Sequence, residues 1–174
     1  MTTSKNHSAT ASDDVLISIR KIIQCIDINS RSLVKRVGLT GPQLIILQEV
    51  SASDGVYIGE VAKAISLSQA TVTGVVERLE KRGLVVRQRS DVDRRRVMVQ
   101  TTDTGRALLE TAPPLMQEAF VGKFSELKDW EQSMILSSLQ RLVSLMDAKQ
   151  LDVGPFLATG PIEGAEAMDA ATNF

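Results

Sequence analysis

Residues 68–105 read SQATVTGVVERLEKRGLVVRQRSDVDRRRVMVQTTDTG. Ser68 is of a type that caps helix N-termini, and Gly83 of the type that ends helices. Between them Val72, Val75, Val76 and Leu79 recur at i, i+3, i+4 and i+7, the stripe of an amphipathic helix. Ala70, Thr73, Gly74, Glu77 and Lys81 then point away from that stripe. After Gly83 the period changes. Leu84–Arg89 and Arg96–Thr101 are β-rich runs joined by the polar loop Ser90–Arg95, which predicts a hairpin with a charged tip. Upstream, Glu60–Ile65 reads as a short helix with Val61, Ala62 and Ile65 inward, and Ser66–Leu67 as a tight turn. A short helix, a tight turn and a second helix opening on small polar residues make a helix-turn-helix. Its second helix fits a DNA major groove about 12 Å wide.

Charge points the same way. From Ser68 to Gln100, eight basic residues (Arg78, Lys81, Arg82, Arg87, Arg89, Arg94, Arg95, Arg96) face four acidic ones (Glu77, Glu80, Asp91, Asp93). The stretch carries +4 in a chain of formal net charge −1, leaving −5 elsewhere. Such a patch attracts phosphate and releases counterions on binding. A solvated face would account for the charge alone, but not for its place beside a helix-turn-helix.

On the recognition helix the candidate contacts are Ser68, Gln69, Ala70, Thr71, Thr73, Gly74 and Arg78. Gln69 can bond adenine or phosphate, Thr71 and Thr73 can donate, and Ala70 offers a methyl to thymine. Gly74 is either a helix defect costing about 1 kcal/mol or a point of close backbone approach, and its outward position suits the second. On the wing the candidates are Arg87, Arg89, Asp93, Arg94, Arg95 and Arg96. Asp91 or Asp93 can hold one arginine by a bidentate bond while another projects. An arginine on a thin β-tip suits a narrow A·T minor groove. Turn chemistry explains Ser90, Asp91 and Asp93, but not three consecutive arginines.

Outward from this stretch, Met1–Ala11 reads as a flexible tail. Ser12 or Asp13 can cap a helix to about Val37, with Leu16, Ile19, Ile23, Ile26, Leu33 and Val37 on one face. Val15, Ile22, Cys25 and Ile28 widen that surface past one stripe, which implies a partner chain. Thr40 caps the next helix, with Pro42 in its first turn and Leu44, Ile45, Leu47 and Val50 inward. Thr102 or Asp103 opens a further helix, which Pro113–Pro114 kinks or splits. Asp129, with Gln132 three residues on, caps the last long helix, whose face is Met134, Ile135, Leu139, Leu142, Val143 and Met146. The Gly/Pro/Ala-rich stretch over residues 148–174 reads as a loose acidic tail.

The 174 residues, 43% hydrophobic and 24% charged, suit one globular unit. One cysteine and one histidine, His7, leave no disulfide framework, no zinc spacing and no histidine chemistry. With no Gly-rich phosphate loop either, an enzyme is not expected, and neither is a cofactor or a metal. Cys25, among Ile22, Ile26 and Ile28, reads as inert and partly buried. Trp130 and Tyr57 read as packing residues. No apolar leader opens the chain and no run is long enough for a membrane span, so a cytoplasmic protein is expected.

Several of these segments together resemble a known family. Ser68-Gln69-Ala70-Thr71-Val72-Thr73, Leu79-Glu80-Lys81-Arg82-Gly83-Leu84-Val85, Asp93-Arg94-Arg95 and Thr101-Thr102-Asp103-Thr104-Gly105 look like the MarR family of winged helix-turn-helix regulators. The likeness covers about Val15 to Asp147. It implies a mainly α fold with a small β-hairpin wing, a DNA-binding lobe at about 40–101, and dimerisation helices at 12–37 and 103–147. It also implies a homodimer that places two recognition helices and two wings on a palindromic operator of double-stranded DNA. Carried over by position, Arg95 is the minor-groove arginine and Asp93 the carboxylate orienting it. Gly74 departs from members with an arginine there. Gly38-Leu39-Thr40-Gly41-Pro42-Gln43-Leu44 and Asp129-Trp130-Glu131-Gln132 are similar to a branch that includes repressors of ectoine (compatible-solute) synthesis. The function expected is a transcriptional repressor whose operator binding an effector, such as a small molecule, or an ionic change would weaken. A winged-helix protein–protein adaptor is the alternative.

Overall fold

The computed structural model describes residues 4–89, 97–151, 153 and 156–158. Seven α-helices and three strands follow in the order α1 (Ser4–Val37), α2 (Gly41–Ser51), β1 (Val56–Tyr57), α3 (Ile58–Ala64), α4 (Gln69–Lys81), β2 (Val85–Arg89), β3 (Val97–Thr101), α5 (Asp103–Thr111), α6 (Met116–Ser125) and α7 (Asp129–Leu145), among the described residues. A 3₁₀ turn at Ala148–Gln150 follows α7. The fold is mainly helical with a small antiparallel sheet.

The sheet has the order β1-β3-β2. Val85 pairs with Thr101 and Arg89 with Val97 along the hairpin, and Val56 pairs with Val99 on the other edge of β3. Strand β1 thus ties the start of the helix-turn-helix to the base of the wing.

The core lies beneath α4. Val72, Val75, Val76 and Leu79 are all at most 1% exposed. Burying such aliphatic side chains is worth about 1.5–3 kcal/mol each. They meet Leu39, Leu44, Leu47 and Val50 of the α2 region, Val61 of α3, and Val85 and Val99 of the sheet. Helix α2 corrects the sequence reading. Ile46 is fully buried while Ile45 is only half-buried, and Pro42 and Gln43 are buried too. A helix enclosed on most sides has no polar face, so no stripe marks its orientation.

Two helix ends also differ from expectation. Helix α1 starts at Ser4, not at Ser12 or Asp13, so the expected tail is partly helical. Residues 4–11 contain neither Gly nor Pro, so nothing in them breaks a helix continued upstream. Helix α7 is capped at Lys128, whose N–H donates to the Glu131 carboxylate at 3.0 Å. Asp129 is then the first helical residue, where a carboxylate favours the positive end of the helix dipole. Gln132 donates instead to the Leu127 carbonyl. Pro113 and Pro114 do split the chain between α5 and α6.

Helices α1 and α7 leave their apolar faces open in the single chain. Val15, Leu16, Ile22, Ile23 and Ile28 of α1 are exposed, as are Met134, Leu136, Leu139 and Val143 of α7. Two expectations fall with them. Cys25 is exposed, not partly buried, and Trp130 is 60% exposed, not packed. Both sit on helices that a single chain does not cover. Tyr57 is half-buried. Among the described residues no helix is long and apolar enough to cross a membrane.

Candidate nucleic-acid interface

The turn between α3 and α4 depends on one left-handed residue. Ser66 has φ +54°, a conformation costly for most side chains, and the Leu67 N–H donates to the Ala62 carbonyl at 3.0 Å to close the turn. Ser68 then caps α4. Its Oγ accepts the Thr71 N–H at 3.0 Å and lies 2.7 Å from Thr71 Oγ1. Thr73 Oγ1 donates to the Gln69 carbonyl at 2.7 Å. These hydroxyls are held in place by the helix itself, and the Thr73 proton is already committed.

The candidate residues on α4 fall into two sets. Ser68, Gln69 and Ala70 are exposed, while Thr71, Thr73, Gly74 and Arg78 are half-buried. A groove lined by Glu60, Lys63, Gln69, Thr73, Arg87 and Val97 runs between the first turns of the helix-turn-helix and the base of the wing. It brings together candidates that sequence reasoning placed on separate elements. Arg78 is further back, and its Nη1 is enclosed without a partner among the described residues.

Gly74 faces open space: a Cβ placed on it would meet no atom within 4 Å. Nothing among the described residues therefore requires glycine there. Gly74→Ala is expected to stabilise the fold by about 1 kcal/mol, the helix-propensity difference, and to weaken DNA binding. Thermal unfolding and fluorescence anisotropy on the same samples check both signs. Unchanged DNA binding would make Gly74 a mere helix defect.

Two arginines behind this face have internal partners that the sequence reading did not foresee. Arg82, the C-cap of α4, donates to the carbonyl of Gly38, the left-handed glycine that ends α1. Arg87, on β2, reaches Glu77 and Glu80 of α4. Alternation along β2 gives the signal that could have found the second contact. Val85 is buried, Val86 exposed, Arg87 half-buried and Gln88 exposed, so Arg87 shares the inward face. Of the remaining wing candidates, Asp93, Arg94, Arg95 and Arg96 lie outside the described residues, as does the side chain of Arg89.

Comparison with known proteins fits this geometry. Residues 37–96, from the end of α1 into the wing, match the model of the MarR family. Over that stretch the chain is similar to the MarR family. Its helix-turn-helix and first wing strand, β2, thus fall within the matched region, and β3 follows it. The HTH-type transcriptional regulator YsmB of Bacillus subtilis (strain 168) is 27% identical over 136 residues, covering 78% of this chain and 93% of that protein. The HTH-type transcriptional repressor NicR of Pseudomonas putida (strain KT2440) is 36% identical over 84 residues, covering 48% of this chain and 53% of that one. Among solved structures, Bordetella bronchiseptica BpsR, studied for regulation of its DNA binding by 6-hydroxynicotinic acid, is 29% identical. It superposes with a TM-score of 0.51 over 74% of this chain and 98% of its own. YsmB and NicR are thus named for transcriptional regulation, and BpsR for its DNA binding.

Proposed function

We propose that the protein is a homodimeric transcriptional repressor that binds a pseudo-palindromic operator in double-stranded DNA and works in the cytoplasm. The observation that carries this is the exposed start of α4 beside the base of an antiparallel wing, in a stretch of local charge +4. The open apolar faces of α1 and α7 support the dimer, since exposed patches of this extent mark association sites. The relatives' names support repression. An anionic small molecule is the effector class that suits the crevice of about 90 Å³ between α1 and the α5–α6 link, where Arg36 supplies positive charge beside Asn29, Ser32 and Leu33. The likeness of residues 38–44 and 129–132 to ectoine-synthesis repressors makes compatible-solute genes the first operators to try.

Light scattering on the full chain should give a mass near twice 18.9 kDa without added ligand. Footprinting should show two half-sites with centres about 10 bp apart or a small multiple. Binding should fall steeply with salt, by about 0.9 in log–log slope for each phosphate neutralised. A protein that retards no genomic fragment, yet still dimerises, would be the protein–protein adaptor instead.

A further inference from the structure

All three nitrogens of the Arg87 guanidinium are engaged. Nε and Nη2 lie 2.7 and 2.6 Å from Glu80 Oε2, and Nη1 lies 3.1 Å from Glu77 Oε1. Glu77 and Glu80 are one helical turn apart on α4, so one fork spans two carboxylates. Of its five N–H groups at least three are taken up by these two carboxylates, which leaves little to offer a phosphate. The Arg87 side chain is only 30% exposed. The carboxylates raise its pKa above the ordinary arginine value, Glu80's hydrogen bond contributing most, with burial opposing. The guanidinium therefore keeps its charge at any working pH.

This contradicts the simplest use of Arg87, as one more cation of the wing. We propose that Arg87 is a positioning residue, a fork that fixes the wing's first strand to the recognition helix so that helix and wing reach DNA as one rigid reader. The inference rests on the DNA-binding reading above. Its physical basis is the geometry of the two elements. A thin hairpin pivots easily about its base, and the covalent link between α4 and β2 is three residues, Arg82–Leu84. A charge-assisted fork across that link removes the pivot. The groove between wing base and α4 then keeps a set width, so base contacts by α4 and wing contacts by the tip fall in register.

The test uses the full-length protein with Arg87→Lys, Arg87→Met and the double variant Glu77→Gln/Glu80→Gln. The probes are a duplex enriched from a random pool by the wild type, and a scrambled duplex of the same composition. Lysine keeps the charge but cannot bridge two carboxylates as a planar fork. Both Arg87 variants should therefore lose about tenfold in affinity for the enriched duplex, with the scrambled duplex nearly unchanged. Glu77→Gln/Glu80→Gln makes the surface more positive, yet should also lose about fivefold on the enriched duplex. A general loss of folding would lower both duplexes together and leave their ratio unmoved. In DNA-free protein, amide exchange over Val86–Arg89 should quicken about tenfold in the double variant. Wild-type affinity in Arg87→Lys, or tighter binding to both duplexes in the double variant, would overturn the proposal and make Arg87 a screened phosphate contact. Unchanged amide exchange would overturn it as well. If the wild type enriches no duplex, the DNA-binding reading fails, and the exchange measurement still decides whether the fork holds the strand.

Discussion

Replacing Gly105 by alanine should destabilise the fold by about 3 kcal/mol, at the upper end of the cost of overpacking. Helix α5 starts hard against the base of the wing. Thr102 caps it, accepting the Gly105 N–H at 3.1 Å, and its own N–H donates to the Leu84 carbonyl at 3.1 Å. Thr102 Oγ1 donates in turn to the Gly83 carbonyl at 2.7 Å. A Cβ on Gly105 would stand 2.2 Å from the Leu84 oxygen and 2.8 Å from Thr101 Cγ2. The first of these is backbone, held by the cap just described, so it cannot swing aside. Relief requires shifting α5 off the sheet. At roughly 2–4 °C per kcal/mol for a chain of this size, the melting temperature should drop by about 6–12 °C, compared at equal protomer concentration. Gly74→Ala is the matched control, since it meets nothing. Equal melting temperatures for the two variants would refute the account.

The second large effect is on DNA affinity. Arg95→Ala should weaken operator binding by about tenfold to a hundredfold, the 1–3 kcal/mol usual for a lost groove contact, without changing folding or dimer mass. Asp93→Ala should weaken it too, and the sign is the test. Deleting a carboxylate beside phosphates should help binding if charge alone matters. A loss means that Asp93 holds the arginine in its reading direction, as the family resemblance implies. Both residues lie outside the described residues, so the expectation rests on the Asp93-Arg94-Arg95 motif and on the hairpin that leads to it. Tighter binding by Asp93→Ala, measured by anisotropy at fixed salt, would reduce the wing to a generic basic patch.

What could be read from the sequence follows the physics of each element. The α4 stripe was legible because one face meets the core and the other meets solvent, and all four stripe residues are buried as expected. The hairpin was legible because Gly83 and the β-branched runs mark a change of period. Ile46 was not legible, because a helix surrounded by protein has no contrast between faces. The Arg87 fork was not legible from charge counting, which pooled Glu77, Glu80 and Arg87 into one net figure. Its partners are 10 and 7 residues away, beyond the i, i+4 rule for charge pairs within a helix. Exposure of Cys25 and Trp130 was misjudged for a different reason. Both lie on apolar helices, and an apolar sequence signals that a surface will be covered without saying by which chain.

The contact between Arg82 and the carbonyl of Gly38 gives α1 the mechanics of a long lever with its fulcrum at the recognition helix. The helix has 34 residues, and at 1.5 Å per residue it is about 51 Å long. A sideways displacement of about 4 Å at its far end turns it by only about 5° where it is pinned. Motion applied at the far end therefore arrives at α4 greatly reduced, as through a step-down gear. The same rotation imposed near Gly38 needs a push of only a fraction of an ångström.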